Sequence, residues 1–209
     1  MEQNLYQPRW QRRKEARPAE IIDAALALFV EKGFAATKLD DVAKLAGVTK
    51  GTVYLYFENK EELLKSAVRE TVLPTITAAE GLASDEQTDT ITLMRLLINQ
   101  WVYMMKNDKT SGITKLMIAE SSNFPELAQF YLDEVVARTR KLFAHILERG
   151  MSRGEIRRLD IDYLTREIFG PLLLANIWRH SFEPFEEETI DMQAVSDFHL
   201  DVLLKGIQP

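Results

Sequence analysis

The chain has 209 residues, of which 46% are hydrophobic and 28% charged, a composition typical of a globular protein with one large domain or two small ones. It contains no cysteine, which excludes disulfide scaffolds, Cys-ligated metal sites and thiol catalysis. No apolar run approaches the roughly 18 residues of a membrane span, and no apolar stretch follows the basic residues near the N-terminus. We therefore expect a cytoplasmic protein without membrane contact.

The net charge of −6 is distributed unevenly along the chain. Residues 1–60 contain 10 Lys and Arg against 8 Asp and Glu, a net +2, whereas residues 61–209 contain 16 against 24, a net −8. An acidic body repels phosphate and is unsuited to gripping nucleic acid. If the protein binds nucleic acid, the binding surface is expected near the N-terminus.

The first predicted helix covers residues 18–32, where apolar residues recur at three- and four-residue steps. Pro18 suits the first helical position, and Gly33 suits the left-handed position just past the end. Thr37 and Asp40 have the spacing of a helix start, Ser or Thr followed three residues later by an acid, and predict a second, short helix.

A third short helix is predicted over residues 50–57, and a longer one begins at Asn59 and ends or bends at Pro74. Gly170–Pro171 predicts a kink or break in an otherwise long apolar helix. The remaining predicted helices cover residues 90–106, 113–121, 125–150, 162–179 and 191–205, with a loop at 81–90 and a linker at 183–188. The fold is thus predicted to be all-α, with about nine helices.

Residues 37–57, TKLDDVAKLAGVTKGTVYLYF, carry the functional information. Two short helices flank a turn at Gly47, which is the layout of a helix-turn-helix. Val53 and Phe57 lie four residues apart and should face the core, leaving the other face of the second helix for the DNA major groove. Each candidate taken singly is more often a packing or surface residue. Together, the predicted DNA contacts are Thr37, Lys50, Gly51, Thr52, Tyr54, Tyr56 and Lys60.

The segment before the first helix is basic and contains Arg9, Arg12, Arg13 and Lys14. Such an arm can lie along phosphates or enter an A·T-rich minor groove. The alternative interpretation is a solvated tail without a DNA contact.

Residues 22–64 resemble the DNA-binding domain of TetR-type (tetracycline-repressor-like) transcriptional regulators. The resemblance is carried by the strings IDAALALFVEKGFAAT, LDDVAKLAGVTKGTVYLYF and ENKEELL, and less specifically by NFPELAQFYLDEVVARTRKLF. We assign residues 1–17 to a basic arm, 18–66 to the helix-turn-helix domain, and 67–209 to an effector-binding and dimerisation domain.

The resemblance implies an all-α homodimer with a three-helix DNA-binding domain and a larger helical domain for a small effector. It further implies that the last two long helices pair in the dimer, and that effector binding releases a palindromic operator, as in a repressor. We expect double-stranded DNA, a small molecule and a second copy as partners, with no cofactor and no metal.

The acidic body supplies two further sets of candidates, for which ordinary core packing is the alternative. Methionine and aromatic side chains suit an adaptable apolar ligand site, and no cluster of Arg or Lys indicates an acidic effector, so an apolar or aromatic effector is expected. The pocket candidates are Trp101, Met104, Met105, Met117, Phe143 and Trp178. The dimer candidates are Phe169, Leu173, Ile177, Val195, Phe198 and Val202.

Three other classes of protein fit the sequence less well. An enzyme is disfavoured because the chain has no G-x-G-x-x-G, P-loop, H-E-x-x-H or G-x-S-x-G motif. A helical ligand carrier with an incidental helix-turn-helix would not bind DNA. An architectural DNA protein should be basic throughout, unlike this body.

Overall fold

The computed structural model describes the backbone of residues 9–209 and the side chains of residues 16–209. The described part is all-α without strands, and its π-helical turn Leu132–Ala137 joins two helices into one continuous rod. The α-helices are α1 (Arg9–Lys32), α2 (Leu39–Leu45), α3 (Lys50–Tyr56), α4 (Lys60–Thr71), α5 (Leu73–Ala83), α6 (Thr90–Met105), α7 (Asp108–Glu120), α8 (Pro125–Tyr131), α9 (Arg138–Ser152), α10 (Ile161–Ser181) and α11 (Met192–Ile207).

The described chain contains nine helices if α4 and α5, separated by Val72 alone, are counted as one bent helix and the α8–α9 rod as another. This confirms the predicted fold class. The chain forms two compact units, one ending at Val68 and the other beginning at Arg69. No helix in the described part of the chain is long and apolar enough to cross a membrane.

In the first unit, α1 packs against α2 and α2 against α3. The predicted apolar stripe of α1 is buried, with Ile21 and Phe29 fully inaccessible to solvent. Gly33 ends the helix with φ of +86°, and the ring of Phe34 returns onto Phe29 at 5.3 Å between centroids. The predicted end of this helix is therefore confirmed.

The start of the same helix was predicted wrongly, because α1 begins at Arg9 and contains Pro18 in its interior. The segment before Pro18 is rich in Arg, Gln, Lys, Glu and Ala, which favour a helix without any apolar periodicity to reveal it. The basic arm is helical from Arg9 onward, while the side chains of Arg9, Arg12, Arg13 and Lys14 lie outside the described residues.

In the second unit, the core is built mainly from α6, α9, α10 and α11. Four of its helices, α6, α7, α10 and α11, begin at side-chain caps, which satisfy backbone N–H groups that have no partner within the helix. Asn107 accepts from the N–H groups of Lys109 and Thr110 at 3.1 and 3.2 Å, so α7 begins five residues before the predicted Ile113. Asp89, Asp160 and Asp191 cap α6, α10 and α11 in the same way.

Proline affects the two long helical segments of this unit differently. Pro74 follows the interruption at Val72 and sits in the first turn of α5, as the sequence predicted. Pro171, in contrast, lies inside an unbroken α10, so the predicted break at Gly170–Pro171 is wrong. Ile168 and Leu172 are fully buried on either side of it, and their packing holds both halves of α10 in one helix.

Candidate DNA-binding surface and ligand cavity

The helix α3 is held with one face inward and the other exposed. Gly47 has φ of +65° and lets the chain turn after α2, and Thr49 then caps α3 by accepting from the N–H of Thr52 at 3.1 Å. Val53 is fully buried and Phe57 is 6% exposed, as predicted. A two-turn helix anchored on one side in this way presents its opposite side to solvent, as a recognition helix requires.

The predicted contacts on α3 itself are accessible. Lys50, Gly51 and Tyr54 are exposed, and Thr52 and Tyr56 are half-buried. The Lys50 ammonium lies 2.7 Å from the Asp40 carboxylate on α2, and this hydrogen bond and charge raise the pKa of Lys50. The cation is fixed beside α3 in a solvent-exposed pair that phosphate can compete for.

Lys60 has a different role from the predicted phosphate contact. Its ammonium donates to the backbone carbonyl oxygens of Phe34, Ala35 and Thr37 at 2.7, 3.2 and 3.1 Å. It also lies 4.4 Å from the centroid of the Phe34 ring. All three ammonium hydrogens have acceptors within the first unit, so Lys60 caps the turn after α1 instead of offering a charge to DNA.

Thr37 is likewise internal. Its side chain is 2% exposed, and its hydroxyl donates to the carbonyl oxygen of Gly33 at 2.8 Å, with that of Leu28 at 3.2 Å. The predicted capping role is wrong, because α2 begins after Lys38 and has no side-chain cap. The predicted contact to DNA is also contradicted, because the hydroxyl is buried and donates to backbone carbonyl oxygens of its own unit.

Leu55 of α3 was not among the predicted DNA contacts. Leu55 is 73% exposed, although leucine is apolar and its neighbours in sequence are tyrosines. The signal available in the sequence was its spacing, because Leu55 follows Gly51 by four residues and lies on the same side of the helix.

The second unit encloses a cavity of about 660 Å³ between α5, α6, α7, the α8–α9 rod and α10. Its walls are mostly apolar, with methionine and aromatic side chains among them. Five of the six predicted pocket residues line it, namely Trp101, Met104, Met105, Met117 and Phe143. A cavity of this volume and lining is typical of a site for a small apolar ligand.

Trp178 is absent from the cavity wall. It is 40% exposed, its indole N–H donates to Glu186 at 3.0 Å, and its ring packs on Phe182 at 4.8 Å. Its assignment to the pocket is therefore wrong. The residue lies on α10 but faces away from α7, because Asn176, two residues earlier, points to α7 and donates to the Ser111 carbonyl at 3.0 Å.

The wall contains hydroxyl side chains, the amide of Gln100 and two charged side chains. The Thr114 and Tyr131 hydroxyls form a hydrogen bond of 3.3 Å, and burial raises the pKa of Tyr131. Arg140 of α9 and Arg166 of α10 are the charged side chains among the described lining residues, which include no carboxylate. Both arginines are exposed to solvent, and the Arg166 guanidinium donates to the backbone carbonyl oxygen of Asp162 at 2.8 Å. The sequence did not reveal this pair, because 26 positions separate its members.

The six predicted dimer residues do not share one surface. Phe169 and Leu173 line the cavity, and Phe169 meets Phe143 edge-to-face at 4.8 Å. Val195 packs against the core of its own unit. Phe198 and Val202 of α11 are 75% and 56% exposed. Ile177 of α10 is half-buried. Further exposed apolar side chains on or next to the last two helices are Leu174, Trp178 and Phe182.

Comparison with known proteins identifies both units. Residues 21–67 match the model of the bacterial regulatory proteins of the tetR family, and residues 87–194 match a tetracyclin repressor-like C-terminal domain. The chain is 30% identical over 198 residues to the fatty acid metabolism regulator protein of Bacillus subtilis, covering 93% of this chain and 98% of that protein. It is 24% identical over 196 residues to the transcriptional repressor KstR2 of Rhodococcus jostii, covering 93% and 92%.

Solved structures agree. The crystal structure of the transcriptional regulator FadR from Bacillus subtilis in complex with stearoyl-CoA has a TM-score of 0.76 and 28% identity, over 91% of this chain and 99% of that one. The fatty acid degradation regulator FadR from Bacillus halodurans has a TM-score of 0.73 and 27% identity, over 90% and 94%. The chain therefore belongs to the TetR family of DNA-binding transcriptional regulators.

Proposed function

We propose that this protein is a homodimeric repressor that binds a pseudo-palindromic operator through α3 and is released from it by a long-chain fatty acyl-CoA. The observation that carries the choice of effector is the composition of the cavity wall, which is mostly apolar and contains two arginines and no carboxylate among its described residues. This combination fits a ligand with a long apolar part and an anionic part.

The apolar part of the ligand is favoured by the residues that line most of the wall. Burial of apolar surface contributes about 25 cal/mol per Å², so an alkyl chain gains affinity in proportion to the length enclosed. Met104, Met105 and Met117 adapt their shape to flexible chains better than branched residues do.

The anionic part is favoured by Arg140 and Arg166, whose guanidinium groups suit phosphate. The Bacillus subtilis FadR structure, similar over 91% of this chain, contains stearoyl-CoA, which has both an alkyl chain and phosphates. That likeness supports an acyl-CoA over an effector that is only apolar.

Dimerisation is supported by the exposed apolar side chains of α10 and α11, among them Leu174, Trp178 and Phe198. Contiguous exposed apolar surface marks an interaction site, and a two-fold pairing buries the same patch from both copies. A dimer then presents two α3 helices to half-sites about one helical turn, or 34–36 Å, apart.

Release is proposed to follow from ligand contact with α5. Val72, Thr75 and Ile76 line the cavity, and the chain runs from them directly back into α4. We propose that the interruption before Pro74 concentrates the resulting motion. A ligand that binds the two states unequally supplies coupling of about 1–3 kcal/mol. Pro74→Ala should therefore weaken effector-dependent release of the operator. Unchanged release would show that Pro74 has no part in the mechanism.

The DNA contacts proposed are Lys50, Gly51, Thr52, Tyr54 and Tyr56. The basic residues Arg9, Arg12, Arg13 and Lys14 stay candidates for contacts to the DNA backbone. Deleting residues 1–15 should then weaken binding and reduce its dependence on salt.

The test of the effector uses an operator obtained by selecting bound genomic fragments. Fluorescence anisotropy measures release by stearoyl-CoA, stearate and CoA, and we expect that order of potency because stearate lacks the phosphates and CoA lacks the chain. Arg140→Gln and Arg166→Gln should each raise the stearoyl-CoA concentration for half-release by about three- to tenfold, a partly screened charge-assisted contact. Arg158→Gln, also an exposed arginine but outside the cavity wall, is the control.

Three outcomes contradict the proposal in different places. No selective DNA binding would favour a ligand carrier. Operator binding that stearoyl-CoA leaves intact would reject the effector class. Release that is equally sensitive in Arg140→Gln, Arg166→Gln and Arg158→Gln would reject the role of the arginines while leaving the regulator in place.

A further inference from the structure

The side of α3 that faces away from the core is apolar at its centre. We infer that Leu55 contacts the C5-methyl group of a thymine in each operator half-site, and that the absence of a side chain at Gly51 lets this face of α3 approach the base pairs. The inference rests on the proposed function in one respect, that α3 enters the major groove.

The position of Leu55 follows from helix geometry. An α-helix turns about 100° per residue, so residues two positions before and two after Val53 both point about 160° away from it. Those residues are Gly51 and Leu55, and Val53 is the fully buried residue that defines the inward direction. Gly51 and Leu55 are four apart and therefore neighbours on the outermost line of the helix.

Gly51 is not required by the fold of this chain. Its φ lies outside the left-handed region, and a Cβ built there would meet only the Thr49 hydroxyl oxygen, at 3.8 Å, an ordinary contact. Glycine in a helix is less stable than alanine by about 0.5–1 kcal/mol. The chain thus gives up stability at a position where nothing inside it needs the space, which points to a requirement from outside.

Leu55 has no donor or acceptor, so only an apolar group can be its partner. It is 73% exposed, and Thr52 and Tyr54 beside it supply the hydroxyls that bind polar edges or phosphates. In the major groove the apolar feature of the base edges is the thymine methyl, which distinguishes T·A from the other pairs. An exposed leucine on the outermost line of a recognition helix is therefore suited to select thymine.

The experiment replaces thymine by deoxyuridine, which differs only in lacking the C5-methyl group. An operator is first selected from a random duplex pool with the wild-type protein. The thymines of both half-sites are then replaced one at a time, so that each duplex lacks a single methyl group. We expect one thymine per half-site at which the change weakens wild-type binding by about fourfold, the effect of one buried carbon group. In Leu55→Ala the same replacement should have no effect.

Two controls make the result specific. Leu82→Ala removes an exposed leucine of α5, in the other unit, and should keep the wild-type response to deoxyuridine. Leu55→Met restores an apolar side chain and should recover most of the methyl effect. Because Leu55 is exposed, these variants should unfold at the wild-type temperature.

The outcomes separate the inference from the proposed function. Failure to select any sequence would reject DNA recognition by α3 and this inference with it. Selective binding in which no thymine shows a methyl effect, or in which Leu55→Ala keeps that effect, would overturn the inference alone. A methyl effect that is present in wild type and in Leu82→Ala but lost in Leu55→Ala establishes it.

Discussion

The two units place their proposed functional residues in opposite ways. In the first unit the proposed functional residues all lie on the seven-residue helix α3, at positions accessible to solvent. In the second unit they come from six helices and the π-helical turn and point inward to a cavity. A helix surface is defined by spacing along the chain, whereas a cavity wall is defined by which helices pack together.

The two units also differ in which of their cationic side chains are available to bind a ligand. Lys60 lies in the unit with the positive net charge, yet its ammonium is taken up by three backbone carbonyls. Arg140 and Arg166 lie in the acidic part of the chain, yet no described carboxylate shares the cavity wall with them. The charge of a segment is therefore a poor guide to which of its cations are available to a ligand.

The largest effect is expected from filling the cavity. Ala128→Phe places a ring where the ligand should lie, and overpacking of this kind costs about 1–3 kcal/mol. Effector affinity should fall up to a hundredfold while operator affinity stays unchanged, as measured by calorimetry and anisotropy. Ala137→Phe, in the π-helical turn but exposed and outside the wall, is the matched control. Equal loss in both variants would contradict the assignment of the cavity.

Lys60→Met tests whether this lysine acts inside the unit or on DNA. Removing its ammonium leaves the carbonyls of Phe34, Ala35 and Thr37 without that donor and should lower the free energy of unfolding by about 1.5–2 kcal/mol. The salt dependence of operator binding should not change, since no phosphate contact is lost.

Lys50→Met is the contrasting variant. The unfolding free energy should stay close to that of the wild type, because the pair with Asp40 is exposed. The slope of log affinity against log salt should decrease by about one per subunit, because a proposed phosphate contact is lost. If Lys60→Met changes the slope and Lys50→Met does not, the roles of the two lysines are reversed.

Gly51→Ala should move stability and DNA binding in opposite directions. The folded protein should gain about 0.5 kcal/mol from the better helix former, while operator affinity falls at least tenfold because the added methyl group prevents close approach. Gly81→Ala, at an equally open helical position of α5, should give the gain in stability alone. Operator affinity that survives in Gly51→Ala would show that this face does not approach the bases.

The smallest effect concerns His180 of α10, whose ring nitrogen lies 2.7 Å from the Ser111 hydroxyl. Burial first, and then the charges of Arg179 and Lys115, lower the pKa of His180. The unfolded chain then binds a proton more readily than the folded one, so stability should decrease as the pH falls below about 6.5 and through the folded pKa. His180→Gln should flatten this decrease in urea titrations at several pH values, with exposed His145→Gln as control. An unchanged profile would exclude His180 as its source.

Local signals were sufficient for the helix-turn-helix. Gly47 at its turn and the buried Val53 and Phe57 were predicted correctly because each depends on residues within a few positions. Lys60 was not, because its carbonyl partners lie in the turn after α1, 23 to 26 residues earlier in the chain. Thr37 was not, because its hydroxyl donates back to carbonyl oxygens at the end of α1, four and nine residues earlier, and does not cap α2. A side chain that satisfies distant backbone carbonyls leaves no periodic signal.

The cavity residues could be predicted only in part. Five of the six proposed pocket residues line the wall because bulky apolar side chains on amphipathic helices are mostly directed inward. Trp178 was misassigned because α10 is apolar on two faces, one toward the core and one toward solvent, and composition does not distinguish them.

The sequence by itself determined the fold class, the position of α3 and the family, because helix caps, apolar spacing and the α2–α3 turn act over short stretches of chain. Only the tertiary structure decided that Lys60 is committed to the backbone, that Arg140 and Arg166 share one cavity and that Leu55 is exposed beside a glycine the fold does not need. Those facts depend on which groups meet across the packed helices, and burial, not residue type, decides whether a polar or apolar group is free to bind a partner.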